Sequence, residues 1–185
     1  MNADAFYRAF EPALTAIALP FPMQRSAGRA CKWKVPLADG HLLLAFATNA
    51  KVAGLAEHWP GEFRPTIRWT AGRGAAAVAH DVSFFQYTLP AENDAFVQLQ
   101  DRAIAKFFAG TRADSALRDL VESGLPPSPQ HDRWFHYFDA EDAAAWGRWF
   151  NAALPGWHAR FTAAPESRDD WAWRVLWPHL KRGSR

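Results

Sequence analysis

Two stretches of this sequence alternate between apolar and polar residues with a period of two. In CKWKVPL, residues 31–37, the apolar Cys31, Trp33 and Val35 are separated by Lys32 and Lys34. EFRPTIRWT, residues 62–70, alternates in the same way between apolar residues and residues that are charged or threonine. Since successive side chains of a strand point to opposite faces, this pattern predicts strands with one buried and one solvated face. Such strands are typical of antiparallel sheets.

Two further segments complete the predicted sheet. HLLLAFATN, residues 41–49, is more evenly apolar, as expected of a central strand, and HDVSFFQYTL, residues 80–89, is rich in aromatic residues. Connections that contain Gly or Asn separate the segments. Pro65 cannot donate a backbone hydrogen bond, which indicates that the third strand lies at an edge or is bulged. We therefore predict a four-stranded antiparallel sheet.

Helices are predicted before and after these strands. A first helix over residues 3–19 is indicated by an apolar stripe with spacings of four, four and three, in which Pro12 marks a kink or a second start. The stripe consists of Phe6, Phe10, Leu14 and Ile17. Pro90 opens another helix, and a third one follows it, capped by Thr111 or Asp114. The pattern predicts an α+β fold with helices packed on an antiparallel sheet.

Prolines divide the chain into three parts. Residues 1–122 form the predicted sheet domain, SGLPPSPQ at 123–130 is a linker, and residues 131–185 form a helical section rich in tryptophan. In this section Asp139 is predicted to cap a helix that Gly156 ends. Periodic apolar stripes usually form a core, so we expect the section to dock on the sheet domain. An aromatic cage for a ligand is the alternative.

The tryptophans that carry this interpretation recur at helical spacing. They are Trp134, Trp146, Trp149, Trp157, Trp171, Trp173 and Trp177. Ser167 is predicted to cap a final helix in the same section. A section this short seldom supplies a sufficient core by itself, so we do not expect it to fold alone.

Composition narrows the classes of function. The net charge is only +2, and the polar strand faces lack stacking aromatic residues, so nucleic acid is not the predicted partner. No apolar run approaches the roughly 18 residues of a membrane span, and no signal peptide is indicated. With a single cysteine, Cys31, no internal disulfide can form, and alternation predicts a buried, unreactive thiol. We expect a cytoplasmic protein.

One cluster of titratable residues merits consideration as a catalytic site. HDRWFHYFD contains His131, His136 and Asp139, with aromatic residues between them. The spacing of the two histidines does not match the i, i+4 arrangement of a helical zinc site, so no metal is predicted. No cofactor motif accompanies the cluster, and no cofactor is expected. A small enzyme with a site here is the alternative to a binding protein.

The basic residues of the alternating strands suggest a binding surface. Lys32 and Lys34 share the solvent side of the first strand, and Arg64 and Arg68 share that of the third. If helices cover only the other side of the sheet, these four cations lie on one exposed face. An ordinary solvated face is the alternative. We predict a non-enzymatic binding protein that recognises a protein or another ligand with an acidic surface.

The order of a helix, four antiparallel strands and two helices, together with WPGEFRPTIRW at 59–69, resembles small bacterial α+β domains of the immunity-protein kind. The resemblance covers roughly residues 3–122. It implies a cytoplasmic protein that neutralises a toxin by binding to it. It assigns no functional residue, and the sequence leaves the partner and the oligomeric state open.

Overall fold

The computed structural model describes residues 1–28, 30–49, 61–72, 77–82, 89–110 and 135–163, and these residues form an α+β fold. The described helices are α1 (Ala3–Leu14), α2 (Pro90–Gly110) and α3 (Ala140–Ala163). The described strands are β1 (Gln24–Arg25), β2 (Cys31–Leu37), β3 (Gly40–Asn49), β4 (Gly61–Ala71), β5 (Val78–Val82) and β6 (Phe135–Tyr137). None of the described helices has the length and apolar character needed to cross a membrane.

All six described strands form one antiparallel sheet in the order β1-β2-β3-β4-β5, with β6 also paired to β4. The predicted antiparallel sheet is confirmed, because the first three predicted strands correspond to β2, β3 and β4. The fourth, predicted over 80–89, overlaps β5 at residues 80–82, and residues 83–88 lie outside the described residues. The predicted number of four is too low, because β1 and β6 were missed. With two and three residues, these strands are too short to show a period of two.

Pro65 explains how β4 accommodates two neighbours on the same side. β6 pairs with Gly61–Phe63, whereas β5 pairs with Ile67–Ala71. Pro65 pairs with Phe46 of β3 and, among the described residues, lies between the ends of β6 and β5. β4 is therefore an interior strand, and Pro65 occupies the short stretch where it behaves as an edge.

The core lies between one face of the sheet, the inner face, and the helices α1 and α3. Phe6, Phe10 and Leu14 of α1 are fully buried. α1 ends at Leu14 and not at residue 19 as predicted, and Ile17 is 71% exposed. The side chain of Asn151 in α3 donates to the carbonyl oxygens of Leu14 (2.8 Å) and Ile17 (2.9 Å), which satisfies the end of α1.

The N-terminus of α3 agrees with the prediction, but its C-terminus does not. Asp139 caps the helix, because its Oδ1 accepts from the backbone N–H of Asp142 at 2.9 Å. The helix then continues through Pro155 and Gly156 to Ala163. Beyond the predicted end, the rings of Trp157 and Phe161 are buried and stacked at 5.4 Å. This packing outweighs the poor helix propensity of proline and glycine.

The described tryptophans of α3 belong to the core. Trp146 and Trp157 are essentially inaccessible, and Trp149 is 8% exposed. The indole N–H of Trp146 donates to the carbonyl oxygen of His136 at 2.7 Å. The core interpretation is confirmed for these three residues. Trp134, Trp171, Trp173 and Trp177 lie outside the described residues, as do the predicted linker 123–130 and the predicted caps at Thr111, Asp114 and Ser167.

Candidate functional site: the outer face of the sheet

The register of β2, β3 and β4 determines where the predicted cations lie. Lys34 is opposite Leu43, and Leu43 is opposite Arg68, so these residues form one row across three strands. Directly opposed residues of antiparallel strands project from the same face. Lys34 and Arg68 therefore lie on the same side of the sheet, with Leu43 between them.

The two remaining cations lie in the next rows of the same face. Lys32 is opposite Ala45, and Ala45 is opposite Thr66. Arg64 is opposite Ala47. We call the side that carries Lys32, Lys34, Leu43, Ala45, Ala47, Arg64, Thr66 and Arg68 the outer face.

The outer face is open to solvent over much of its area. Lys32, Lys34 and Arg68 are exposed, and Arg64 is half-buried. The alternate residues of the same strands belong to the core cluster with the buried residues of α1 and α3. Those two helices therefore lie on the side opposite to the predicted cations, as the binding hypothesis requires.

An acidic residue also belongs to the outer face. Glu62 alternates with Arg64 along β4, yet it is only 8% exposed. The face is therefore basic across β2 and the middle of β4, and it becomes mixed in charge toward the start of β4.

Glu62 lies beside His136, one of the residues of the alternative site. The two are paired in the β4–β6 register, and His136 Nδ1 lies 4.0 Å from Glu62 Oε1. Burial lowers the pKa of His136 to about 4, so the imidazole is neutral at pH 7. Its backbone N–H donates to Gln100 Oε1 of α2 at 2.6 Å. His136 is thus held within the sheet and joins it to α2.

Asp139, a second residue of the alternative site, belongs to an ion-pair network between α2 and α3. Lys106 Nζ lies 2.9 Å from Asp139 Oδ2 and 2.9 Å from Asp142 Oδ1. Arg102 Nε donates to the same Asp142 oxygen at 3.0 Å, and the backbone N–H of Phe138 donates to Oδ2. Asp142 is 1% exposed, so its buried charge is matched by two cations.

The pKa values of this network reflect the pairing. Burial by itself would lower the pKa of Lys106, but hydrogen bonds to Asp142 and Asp139 raise it to about 12. Burial would raise the pKa of Asp139, but the backbone N–H of Asp142 and the ammonium of Lys106 lower it. The network is a structural connection between two helices.

The described residues therefore give His136 and Asp139 separate structural partners. His131 lies outside the described residues. In the part of the chain that the structure describes, no group of three or more His, Cys, Asp or Glu residues could hold a metal ion.

Cys31 is fully buried, in agreement with the prediction of an unreactive thiol. Burial, followed by the nearby charge of Glu11, raises the pKa of this thiol to about 12. Glu11 itself pairs with Arg25 through two hydrogen bonds of 2.9 and 3.0 Å, and the guanidinium lies 5.9 Å from the centre of the Trp33 ring. This group fastens β1 and β2 to α1.

Sequence reasoning predicted β3 as a central strand but did not identify the residues of β3 that belong to the outer face. Leu43, Ala45 and Ala47 lie between the cations of β2 and those of β4, and Ala47 is exposed. HLLLAFATN was interpreted as evenly apolar, but Leu42, Leu44 and Phe46 face the core and alternate with residues of the outer face. From Leu44 to Ala47, the alternation of large and small side chains was the available signal. No family model, curated protein or solved structure matches the chain.

Proposed function

We propose that this chain is a non-enzymatic binding protein that recognises the acidic surface of another protein through the outer face of its sheet. The observation that carries the proposal is the register, which brings the cations of β2 and β4 to one solvent-facing side. In keeping with the resemblance to immunity proteins, the partner is proposed to be a toxin, and the place of binding the cytoplasm.

Charge complementarity supports recognition of this kind. Cations on an open surface accelerate the encounter with an acidic partner and reject basic ones, while salt weakens both effects. Rigid strands also hold such charges in a fixed pattern. The two cation-bearing strands are each paired with β3 along most of their length, so the pattern does not depend on loops.

The test is affinity capture with charge-reversal variants. The Arg64→Glu/Arg68→Glu variant removes two cations from the outer face. The matched control, Arg8→Glu/Arg148→Glu, makes the same change in net charge at exposed positions of α1 and α3. Each protein is immobilised and exposed to native lysate at low and high salt, and bound proteins are quantified by mass spectrometry.

We expect wild type and control to retain the same acidic protein at low salt, and the outer-face variant to lose it. High salt should release it from both. If both double variants retained the same proteins as the wild type, the outer face would not be the binding surface. If the control lost the partner as well, net charge and not the pattern of the face would determine binding.

A further inference from the structure

On the outer face, the cations of β2 and the cations of β4 are separated by uncharged residues of the strand between them. Lys32 and Lys34 of β2 lie on one side, and Arg64 and Arg68 of β4 on the other. Adjacent strands of a sheet lie about 4.8 Å apart, so the cations of β2 and those of β4 are about 10 Å apart at the backbone. The strand between them is β3.

Differences in side-chain size make the outer-face residues of β3 the floor of a shallow trough. Ala45 and Ala47 are short, whereas the lysines and arginines on either side are long. Leu43 lies directly between Lys34 and Arg68 and is half-buried, so it closes one end of the trough with an apolar group. The trough thus has an aliphatic floor and cationic walls.

The position of the trough restricts which structure can occupy it. A peptide that binds as an added strand needs a sheet edge with unpaired backbone groups. β3 is paired with β4 from Gly40 to Asn49 and with β2 from Gly40 to Phe46, so most of its backbone groups are already bonded on both sides. An α-helix satisfies its own backbone hydrogen bonds, and with side chains it is about 10–12 Å wide. The width of a helix therefore matches the separation between the cations of β2 and those of β4.

We propose that the partner docks on the outer face with an amphipathic α-helix that lies along β3. This inference rests on the proposed function and specifies the partner's chemistry. The helix carries a narrow strip of apolar residues at i, i+3 and i+4 spacing toward Leu43, Ala45 and Ala47. Asp and Glu on both flanks of the strip meet Lys32, Lys34, Arg64 and Arg68. A single-stranded nucleic acid is a poorer fit, because the trough offers no aromatic ring for base stacking.

Two fluorescein-labelled peptides of identical composition, built from Glu, Leu and Ala, test this inference. One places leucines at helical spacing with glutamates on both flanks. The other contains the same residues in strict alternation, which is amphipathic only as a strand. Fluorescence anisotropy at low salt gives their affinities. Amide chemical shifts of the labelled protein identify the surface that each peptide contacts.

We expect the helical-pattern peptide to bind about five-fold tighter or better, as for one well-packed apolar contact. Its binding should shift the amides of Leu43, Ala45 and Ala47. Ala45→Phe, which fills the trough without a change in charge, should remove this preference. The matched control Ala105→Phe, at an exposed position of α2, should leave it intact.

The outcomes separate this inference from the proposed function. Equal affinities for both peptides, lost together in Arg64→Glu/Arg68→Glu, would overturn the helix and retain an acidic partner. Affinities that do not change in that double variant would overturn both proposals. An oligothymidine that binds tighter than either peptide, with shifts at the β3 amides, would assign the face to nucleic acid and would likewise overturn both.

Discussion

The inner and outer faces of the sheet are made by alternate residues of the same strands, yet they differ in burial and in charge. Trp33, Val35 and Phe63 pack into one hydrophobic core, whereas Lys34 and Arg68 are exposed. A shift of one residue in the register would exchange the two faces. The contrast teaches that the inner face fixes the register, and that the register in turn fixes the pattern of charges outside.

Aromatic contacts across several elements account for the strength of the inner face. The ring of Phe63 lies 4.8 Å from that of Phe6, 5.0 Å from that of Phe135 and 5.9 Å from that of Trp146. Each aromatic pair contributes about 0.5–1.5 kcal/mol beyond its buried area. Such a cluster tolerates little change, whereas the cations of β2 are exposed.

The largest expected effect is at Trp146. Trp146→Ala should reduce the free energy of unfolding by about 3–5 kcal/mol, because a fully buried ring is lost and a cavity remains. The carbonyl oxygen of His136 would also lose its donor. Urea denaturation measures the change, with Arg148→Ala on the exposed side of α3 as the control. A loss below about 1 kcal/mol would mean that this ring does not support the core.

The next effect concerns His136 and pH. In the folded protein burial lowers its pKa from 6.5 to about 4, so the unfolded chain binds more protons between these values. Stability should therefore fall as the pH drops from 6.5 to 4, by on the order of 3 kcal/mol from this residue. Unfolding of wild type and His136→Gln across this range measures it. An unchanged slope in His136→Gln would assign the acid sensitivity to other groups.

A smaller effect is expected where α1 crosses α3. A Cβ atom at Gly147 would lie 2.5 Å from the carbonyl oxygen of Phe10, which cannot move without shifting α1. Gly147→Ala should therefore cost about 1–3 kcal/mol, even though alanine favours helices. At Gly156 in the same helix, the nearest atom is Nη1 at the end of the Arg160 side chain, which pairs with Glu92. A side-chain end can shift more easily than backbone, so Gly156→Ala should cost less than Gly147→Ala, and equal losses at both sites would contradict the close helix contact.

The sequence predicts the two faces well, because alternation is a local property. The bounds of β2, β3 and β4 agree with prediction within one residue, and the starts of α2 and α3 are marked by Pro90 and Asp139. The interactions that sequence reasoning missed all join distant parts of the chain. Asn151 caps α1, and Gln100 binds the backbone of His136. Such contacts have no local signature.

At the candidate site too, the sequence predicts the local features and misses those that depend on distant parts of the chain. Alternation predicted that Lys32 and Lys34 share a face, and that Arg64 and Arg68 share one. It could not show which residues of β3 lie between the two pairs, because that depends on the register. Nor could it show that Glu62, on the same face, is buried beside His136, because β6 comes from a distant part of the chain.

The smallest expected effect on stability is on the outer face, where the largest effect on binding is predicted. Arg64→Glu, at a half-buried site, should cost more than Arg68→Glu, which should change the free energy of unfolding by no more than about 0.5 kcal/mol, as at ordinary surface sites. Lys34→Glu, in the same row but on β2, serves as the matched comparison for Arg68→Glu.

Denaturation and peptide binding should be measured on the same samples of these variants. We expect near wild-type unfolding together with weaker capture of acidic peptides, and the loss of capture should diminish as salt rises. If Arg64→Glu or Arg68→Glu unfolded the protein while Lys34→Glu did not, the arginines would belong to the structural framework. The division between a stabilising inner face and a recognising outer face would then fail at β4 and hold only at β2.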